Sequence, residues 1–189
     1  MSTSFDRTLG ECRGIFASKL MDYGPTWLVF RWVSLVDQIF IKLTRLRTLE
    51  ETGGDRLVED TPGDEYRGVI NYCLVGLMKW EGRLPAGADV LAGPEGLDAV
   101  PAADILAAYD RAAAQAKALL ARKNHDYGEA WRSMAPASIT DQMLIKTLRL
   151  KHMLASDRQL AEANSLPAQL MDILNYCLFG IELTRGHFN

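Results

Sequence analysis

The sequence contains two copies of one pattern. A shift of 104 positions aligns residues 16–83 with 120–187 without a gap, and 19 of the 68 aligned positions are identical. The identical positions form short motifs, so chance is a poor explanation. They pair Asp22-Tyr23-Gly24 with Asp126-Tyr127-Gly128, Trp27 with Trp131, Ser34-x-x-Asp37-Gln38 with Ser138-x-x-Asp141-Gln142, Ile41-Lys42-x-x-Arg45-Leu46 with Ile145-Lys146-x-x-Arg149-Leu150, and Asn71-Tyr72-Cys73-Leu74-x-Gly76 with Asn175-Tyr176-Cys177-Leu178-x-Gly180. The duplication predicts two copies of one structural unit.

Each copy has the apolar spacing of three helices. Apolar residues recur every three or four positions in 9–20, 39–49 and 69–77, and their counterparts lie in 105–120, 143–153 and 173–181. No segment shows the apolar–polar alternation of a strand, and no Asn-Gly or Asp-Gly turn joins two strand-like runs. The fold class is therefore predicted to be all-α.

The predicted organisation is a first repeat at 1–83, a linker at 84–102 and a second repeat at 103–189. The linker contains glycine and proline at short intervals, which is typical of a non-helical connection. Three short helices bury little apolar surface alone, so the two three-helix repeats are expected to pack as one bundle about a pseudo-two-fold axis. Matching polar side chains are then expected to face a common hollow.

Composition excludes several classes of protein. The chain has 189 residues with 24 acidic and 21 basic side chains, which argues against a general nucleic-acid or anionic-membrane surface. No apolar run has the length of a membrane span, and Met1 to Asp6 lacks the apolar core of a signal peptide. Three widely spaced cysteines favour buried inert thiols in a reducing cytoplasm over a disulfide framework. Whether the chain forms a homo-oligomer is left open.

A cationic stripe recurs on the second helix of each copy. Lys42 and Arg45 lie three residues apart, and Lys146 and Arg149 repeat this spacing. On a helix the two side chains share one face, where they are able to bind phosphate oxygens. The alternatives are a solvated helix face or ion pairs with a neighbouring helix.

Two aspartates have more than one interpretation. Asp22 and Asp126 lie near the end of the first helix, where the helix dipole disfavours an anion. The compensation is either a metal ion or a structural bridge to Arg45 and Arg149, respectively. Asp37 and Asp141 are interpreted more simply, because Ser-x-x-Asp has the form of a capping box at the start of the second helix.

A pair of acids on the third helices is split between the copies. Glu65 aligns with Gln169, and Asp172 aligns with Gly68, so each copy has one acid where the other copy has none. Two carboxylates one helical turn apart suit a hard cation such as Mg²⁺. Glu65 and Asp172 would form such a pair only if the third helices lie side by side. Histidines do not repeat between the copies, so a histidine-based mechanism is weakly supported. Trp27 and Trp131 are interpreted as core residues more readily than as surfaces on which a base stacks.

The motifs of the second copy resemble a known family. Lys123-Asn124-His125-Asp126-Tyr127-Gly128-Glu129-Ala130-Trp131-Arg132, Lys146-x-x-Arg149-Leu150 and Asp172-x-x-Asn175-Tyr176 resemble the nucleotide-modification-associated domain 1 family, in its tandem bacterial form. The first copy departs from the pattern at Lys19-Leu20-Met21-Asp22 and at Gly68. This resemblance implies a role near nucleotide or modified-base metabolism. A weaker similarity to MazG-like all-α nucleoside triphosphate pyrophosphohydrolases implies helix-borne acids around Mg²⁺, although their full acid set is not intact here.

Two functions are predicted from these observations. The first is an Mg²⁺-dependent hydrolase of a nucleotide phosphate, and the second is a non-catalytic nucleotide-binding or interaction module with structural Asp–Arg bridges. In the first, Asp126, Asp172 and Glu65 are the expected metal ligands. The expected contacts to the nucleotide are Lys42, Arg45, Lys146, Arg149, Asn124, Tyr127 and Trp131.

Overall fold

The computed structural model is all-α, as the sequence predicts. It describes residues 4–55, 57, 59–82, 91, 95–96, 100–156 and 165–185, and these contain no β-strand. The long helices are α1 (Ser4–Tyr23), α2 (Trp32–Glu51), α3 (Pro62–Glu81), α4 (Ala102–Tyr127), α5 (Pro136–Ala155) and α6 (Ser165–Thr184). Three helices per repeat are therefore confirmed. Most of the predicted linker lies outside the described residues.

A short 3-10 turn follows the first helix of each repeat. The turns are Thr26–Val29 and Ala130–Ser133, and the sequence does not reveal them. Each comes shortly after a glycine with positive φ, which is +67° at Gly24 and +59° at Gly128. This left-handed conformation costs glycine little, and it lets the chain leave the helix abruptly. The turns bring Trp27 and Trp131 back towards the bundle.

Four helices form the central bundle. Helix α3 packs against α2 and α6, and α5 packs against the same two helices, which closes a ring. Helices α1 and α4 lie outside the ring, and each contacts both α3 and α6. The apolar stripes of all six helices meet in one buried core. Among the described helices, none has the length and apolar character needed to cross a membrane.

The close contact between α3 and α6 obeys the repeat symmetry. A Cβ atom added at Gly76 would lie 2.7 Å from a methyl group of Leu170, and one added at Gly180 would lie 2.5 Å from the ring of Tyr66. The shift of 104 positions converts Gly76 into Gly180 and Tyr66 into Leu170. The two contacts are thus equivalent, as they are at an isologous dimer interface. This relation bears out the pseudo-two-fold arrangement.

Ion pairs between α2 and α5 repeat in the same way. Asp37 pairs with Lys151, and Asp141 lies 3.7 Å from the guanidinium of Arg47. The capping-box interpretation of these aspartates is wrong, because α2 and α5 begin two residues before the serines and have no side-chain cap. Pro136 already suits the first turn of α5, where its missing N–H has no helical partner to lose. The aspartates instead form ion pairs with basic side chains of the opposite repeat.

Candidate functional site

The two repeats border separate clefts. The first cleft has a volume of about 540 Å³, and the described residues that line it lie between Ile15 and Val75. The second has a volume of about 300 Å³, and the described residues that line it lie between Lys123 and Phe179. The matching polar side chains therefore do not face the expected common hollow in the part of the chain that the structure describes. Because α3 and α6 touch directly at their glycines, the matching polar faces border two clefts.

The second cleft combines charged, polar and aromatic side chains. It lies between the end of α4, the Ala130–Ser133 turn and α6. The polar residues that line it are Lys123, Asn124, Tyr127, Trp131, Asp172, Asn175 and Tyr176. Predicted site residues Asn124, Tyr127, Trp131 and Asp172 thus meet in one place. Such a mixture is typical of a site for a small molecule.

A lysine on the second helix of each repeat keeps an acidic partner. Lys146 Nζ donates to Asp172 at 2.7 Å, and Lys123 contacts the other carboxylate oxygen. In the first repeat, Lys42 Nζ donates to Glu65 at 3.2 Å. The two lysines occupy equivalent positions, whereas their acidic partners lie one helical turn apart when the repeats are aligned.

Gly68 makes this change of partner possible. Lys42 lies across it, and a Cβ atom at this position would be 2.6 Å from the lysine Cε. Asp172 occupies the equivalent position of α6, so Lys146 meets the acid there directly. An aspartate at position 68 would displace Lys42 from its present path towards Glu65.

Charge balance governs the ionisation of Asp172. Burial opposes the charged form, but the hydrogen bonds and positive charges of Lys123 and Lys146 outweigh it and lower the pKa of this carboxyl below its ordinary value. The side chain of Asp172 is 18% exposed, while that of Lys146 is 13% exposed. The trio carries one surplus positive charge at the cleft.

The predicted metal ligands are not brought together. Glu65 lines the first cleft and pairs with Lys42 and Arg45, whereas Asp172 lines the second and pairs with two lysines. Asp126 is exposed and contacts His125 at 3.2 Å. No group of three or more histidine, cysteine, aspartate or glutamate side chains is arranged to hold a metal ion in the part of the chain that the structure describes. These residues do not fit an Mg²⁺ site.

The predicted Asp–Arg bridges do not form. Arg45 pairs with Asp60 and Glu65 instead of Asp22. Arg149 forms no ion pair with any described residue, because neutral Gln169 stands where α3 has Glu65. Of the predicted phosphate-binding cations, Lys42 lines the first cleft, Lys146 reaches the second through Asp172, and Arg149 lines neither.

Two equivalent asparagines have different surroundings. Asn71 donates from Nδ2 to the carbonyl oxygen of Cys12 at 3.3 Å and accepts from the Tyr109 hydroxyl at 2.7 Å. Asn175 is 3% exposed, and neither polar atom of its amide has a partner among the described residues. A buried polar group without a partner is costly. The second cleft therefore contains an unused amide.

The partner of Asn71 comes from the opposite repeat. Tyr109 lies on α4, and the shift of 104 makes Phe5 on α1 its equivalent. The Phe5 ring lies 5.9 Å from that of Trp131 and 6.1 Å from that of Phe179 in the second cleft. Each repeat thus receives an aromatic side chain from the first helix of the other, and only Tyr109 carries a hydroxyl. Extending the alignment upstream of residue 16 would have revealed this difference.

The remaining residues that the sequence analysis singled out are Trp131, Tyr127 and the three cysteines, and all but Tyr127 are buried. Trp131 is 6% exposed and stacks on Phe179 with ring centroids 4.6 Å apart, while its indole N–H has no partner among the described residues. Tyr127 is largely exposed at the cleft. All three cysteines are buried and free, and burial raises the pKa of Cys12 to about 12. The prediction of buried cysteines is thus confirmed.

The described residues form a duplicated all-α protein in which a polar, aromatic-lined cleft borders each repeat. The model of the nucleotide modification associated domain 1 family matches the chain twice, at residues 19–80 and 123–183. The two matches cover more than half of the chain, so the chain belongs to this family, and they confirm its tandem form. The similarity to MazG-like enzymes is not shown. Comparison with curated proteins and with solved structures gave no match.

Proposed function

We propose that the second cleft binds a nucleotide-like small molecule. The observation that carries the proposal is Asn175, which lines the cleft and whose buried amide has no hydrogen-bond partner among the described residues. A fold gains nothing from burying an unpaired amide, so a ligand that satisfies it explains its presence. The family's association with nucleotide modification agrees with this ligand class.

The surroundings of Asn175 support a nucleotide in particular. Tyr127, which is largely exposed at the cleft, offers a flat surface for a base, and Lys123 supplies a positive charge for a phosphate. Lys123 is held near the cleft by Asp172, which also binds Lys146. A cleft of about 300 Å³ is at the small end of ligand sites, so it suits a single nucleotide.

Binding without catalysis fits these residues better than the hydrolase predicted from the sequence. Of the acids expected to hold Mg²⁺, Glu65 and Asp172 lie in separate clefts and are each paired with two cations, and Asp126 lines neither cleft. The proposal therefore contains no step through a metal ion. It includes a cytoplasmic location, which the free cysteines support, and no general nucleic-acid or membrane surface.

Thermal unfolding with a panel of ligands tests the proposal. Nucleosides, nucleoside monophosphates and triphosphates are added with and without Mg²⁺, and turnover is followed by chromatography in the same samples. A bound nucleotide at 100 times its Kd should stabilise the fold by about 2.7 kcal/mol. Absence of a shift with every compound would contradict binding, whereas phosphate release would favour the hydrolase.

A matched pair of variants locates the site. Lys123→Met removes the cation of the second cleft, and Lys19→Met changes the equivalent residue of the first repeat. Lys19 lines the first cleft and forms no ion pair among the described residues, so its loss should leave stability nearly unchanged. We expect Lys123→Met alone to weaken nucleotide binding. Equal weakening by both variants would place the ligand elsewhere.

A further inference from the structure

The repeats differ in what their equivalent asparagines are able to do. Asn71 uses both sides of its amide within the fold, because Tyr109 donates to Oδ1 and the carbonyl of Cys12 accepts from Nδ2. Asn175 lines the second cleft, and the acceptor and the donor of its amide are both buried without a partner among the described residues. The difference arises on another helix, where Phe5 of α1 takes the position that Tyr109 has on α4.

We infer that the second repeat alone recognises a nucleobase, through the amide of Asn175, and that Phe5 leaves this amide free for the ligand. This inference rests on the proposed function and adds the recognised group, the repeat that binds it and the residue that selects that repeat. The first repeat serves as a structural counterpart in which Tyr109 takes the place of the ligand's hydrogen bond.

The chemistry of the amide defines the ligand. A carboxamide offers an acceptor oxygen and a donor nitrogen in one plane, so it pairs with an edge that presents a neighbouring donor and acceptor. Nucleobases have such edges, and asparagine pairs with adenine in this bidentate way in nucleic-acid recognition. Trp131 adds a further N–H without a partner among the described residues. A phosphate alone would leave the amide oxygen unsatisfied.

The arrangement of Phe5 suggests how a hydroxyl would close the site. Phe5 contacts the rings of Trp131 and Phe179, and Phe179 lies one helical turn from Asn175 on α6. A tyrosine at position 5 would place its hydroxyl as Tyr109 does, where the bond to Asn71 Oδ1 is 2.7 Å long. The ligand would then compete with an internal hydrogen bond.

The experiment compares Phe5→Tyr with Tyr109→Phe in the full chain. Isothermal titration calorimetry with adenosine, guanosine, cytidine and uridine monophosphates measures the affinity and stoichiometry of binding. Thermal unfolding measures the stability of each variant without ligand. We expect one ligand per wild-type chain. Phe5→Tyr should raise the Tm and weaken binding about tenfold or more. Tyr109→Phe should lower the Tm and leave affinity at the second cleft unchanged.

The outcomes separate this inference from the proposed function. If Phe5→Tyr fails to raise the Tm, or raises it without weakening binding, the role of Phe5 is overturned although nucleotides still bind. Two equivalent ligands per wild-type chain would overturn the assignment to the second repeat. If inorganic phosphate competes as well as a monophosphate does, base recognition is overturned. No binding of any compound to the wild-type chain would overturn the proposed function, and base recognition with it.

Discussion

Lys146 donates to Asp172 across 2.7 Å, and the equivalent Lys42 donates to Glu65, which lies one turn earlier in its repeat. The lysine keeps a carboxylate partner although the acid has moved by three positions. The arginine of the same stripe has a carboxylate partner in one repeat only. Arg45 pairs with Glu65, whereas Arg149 faces no acid among the described residues. The two members of each cationic stripe therefore have separable roles.

Replacing the two cations of α5 should separate these roles. Lys146→Met leaves the partly buried Asp172 with Lys123 alone, so we expect unfolding in urea to become easier by about 1–2 kcal/mol. Arg149→Met removes an exposed cation and should change the unfolding free energy by less than about 0.5 kcal/mol. Equal costs for the two variants would show that the contact with Asp172 does not stabilise the fold.

The equivalent asparagines should respond in opposite ways to an apolar replacement. Asn71→Leu leaves the buried Tyr109 hydroxyl without its acceptor and removes the additional bond to the Cys12 carbonyl, so we expect a loss of about 1–3 kcal/mol. Asn175→Leu removes a buried amide that has no described partner, so stability should stay the same or rise, while nucleotide binding is lost. Urea unfolding of both variants, side by side, is the measurement. A large destabilisation by Asn175→Leu would mean that its amide is paired within the fold.

Two glycines test the α3–α6 contact, and Gly10 on α1 is the control. A methyl group at Gly180 would clash with the rigid ring of Tyr66, and one at Gly76 would clash with the more adaptable side chain of Leu170. We expect Gly180→Ala to lower stability by about 1–3 kcal/mol and Gly76→Ala to lower it less. Gly10 has no atom within 4 Å of an added Cβ, so Gly10→Ala should stabilise the fold by roughly 0.5–1 kcal/mol. A thermal melt of Gly180→Ala like that of Gly10→Ala would refute the close contact.

The architecture was predictable because the duplication repeats the same apolar spacing in both copies. Six helices and the pseudo-two-fold relation follow from apolar spacing and from the aligned pairs. The role of Asp37 was predicted wrongly, because an aspartate suits a helix cap as well as an ion pair with a distant residue such as Lys151. The swap of Arg47 for Lys151 at the equivalent position, with the aspartates kept, was a usable signal for that interface.

The site was harder to predict than the fold. Alignment showed that Glu65 and Asp172 are split between the repeats, but sequence alone does not say whether helices bring them together. The decisive features are absences at equivalent positions, namely the missing hydroxyl of Phe5 and the missing side chain of Gly68. Such differences acquire meaning only when the partner atom from the other repeat is known.

The lowered pKa of Asp172 makes a prediction about acid stability. Because Lys123 and Lys146 favour its ionised form in the folded state, this carboxyl stabilises the fold above its ordinary pKa of 3.8, and the contribution disappears as the pH falls through the folded-state pKa. Asp172→Asn should therefore be less stable than the wild-type chain at pH 7 by about 1–2 kcal/mol. Urea unfolding at pH 7, 5 and 3 should show this difference shrinking below pH 3.8. Asp126→Asn, which changes an exposed carboxylate of the same repeat, is the control and should match the wild type within about 0.5 kcal/mol. A difference for Asp172→Asn that is the same at pH 3 as at pH 7 would assign its effect to contacts that do not depend on charge, because the carboxyl of the unfolded wild-type chain is largely protonated at pH 3.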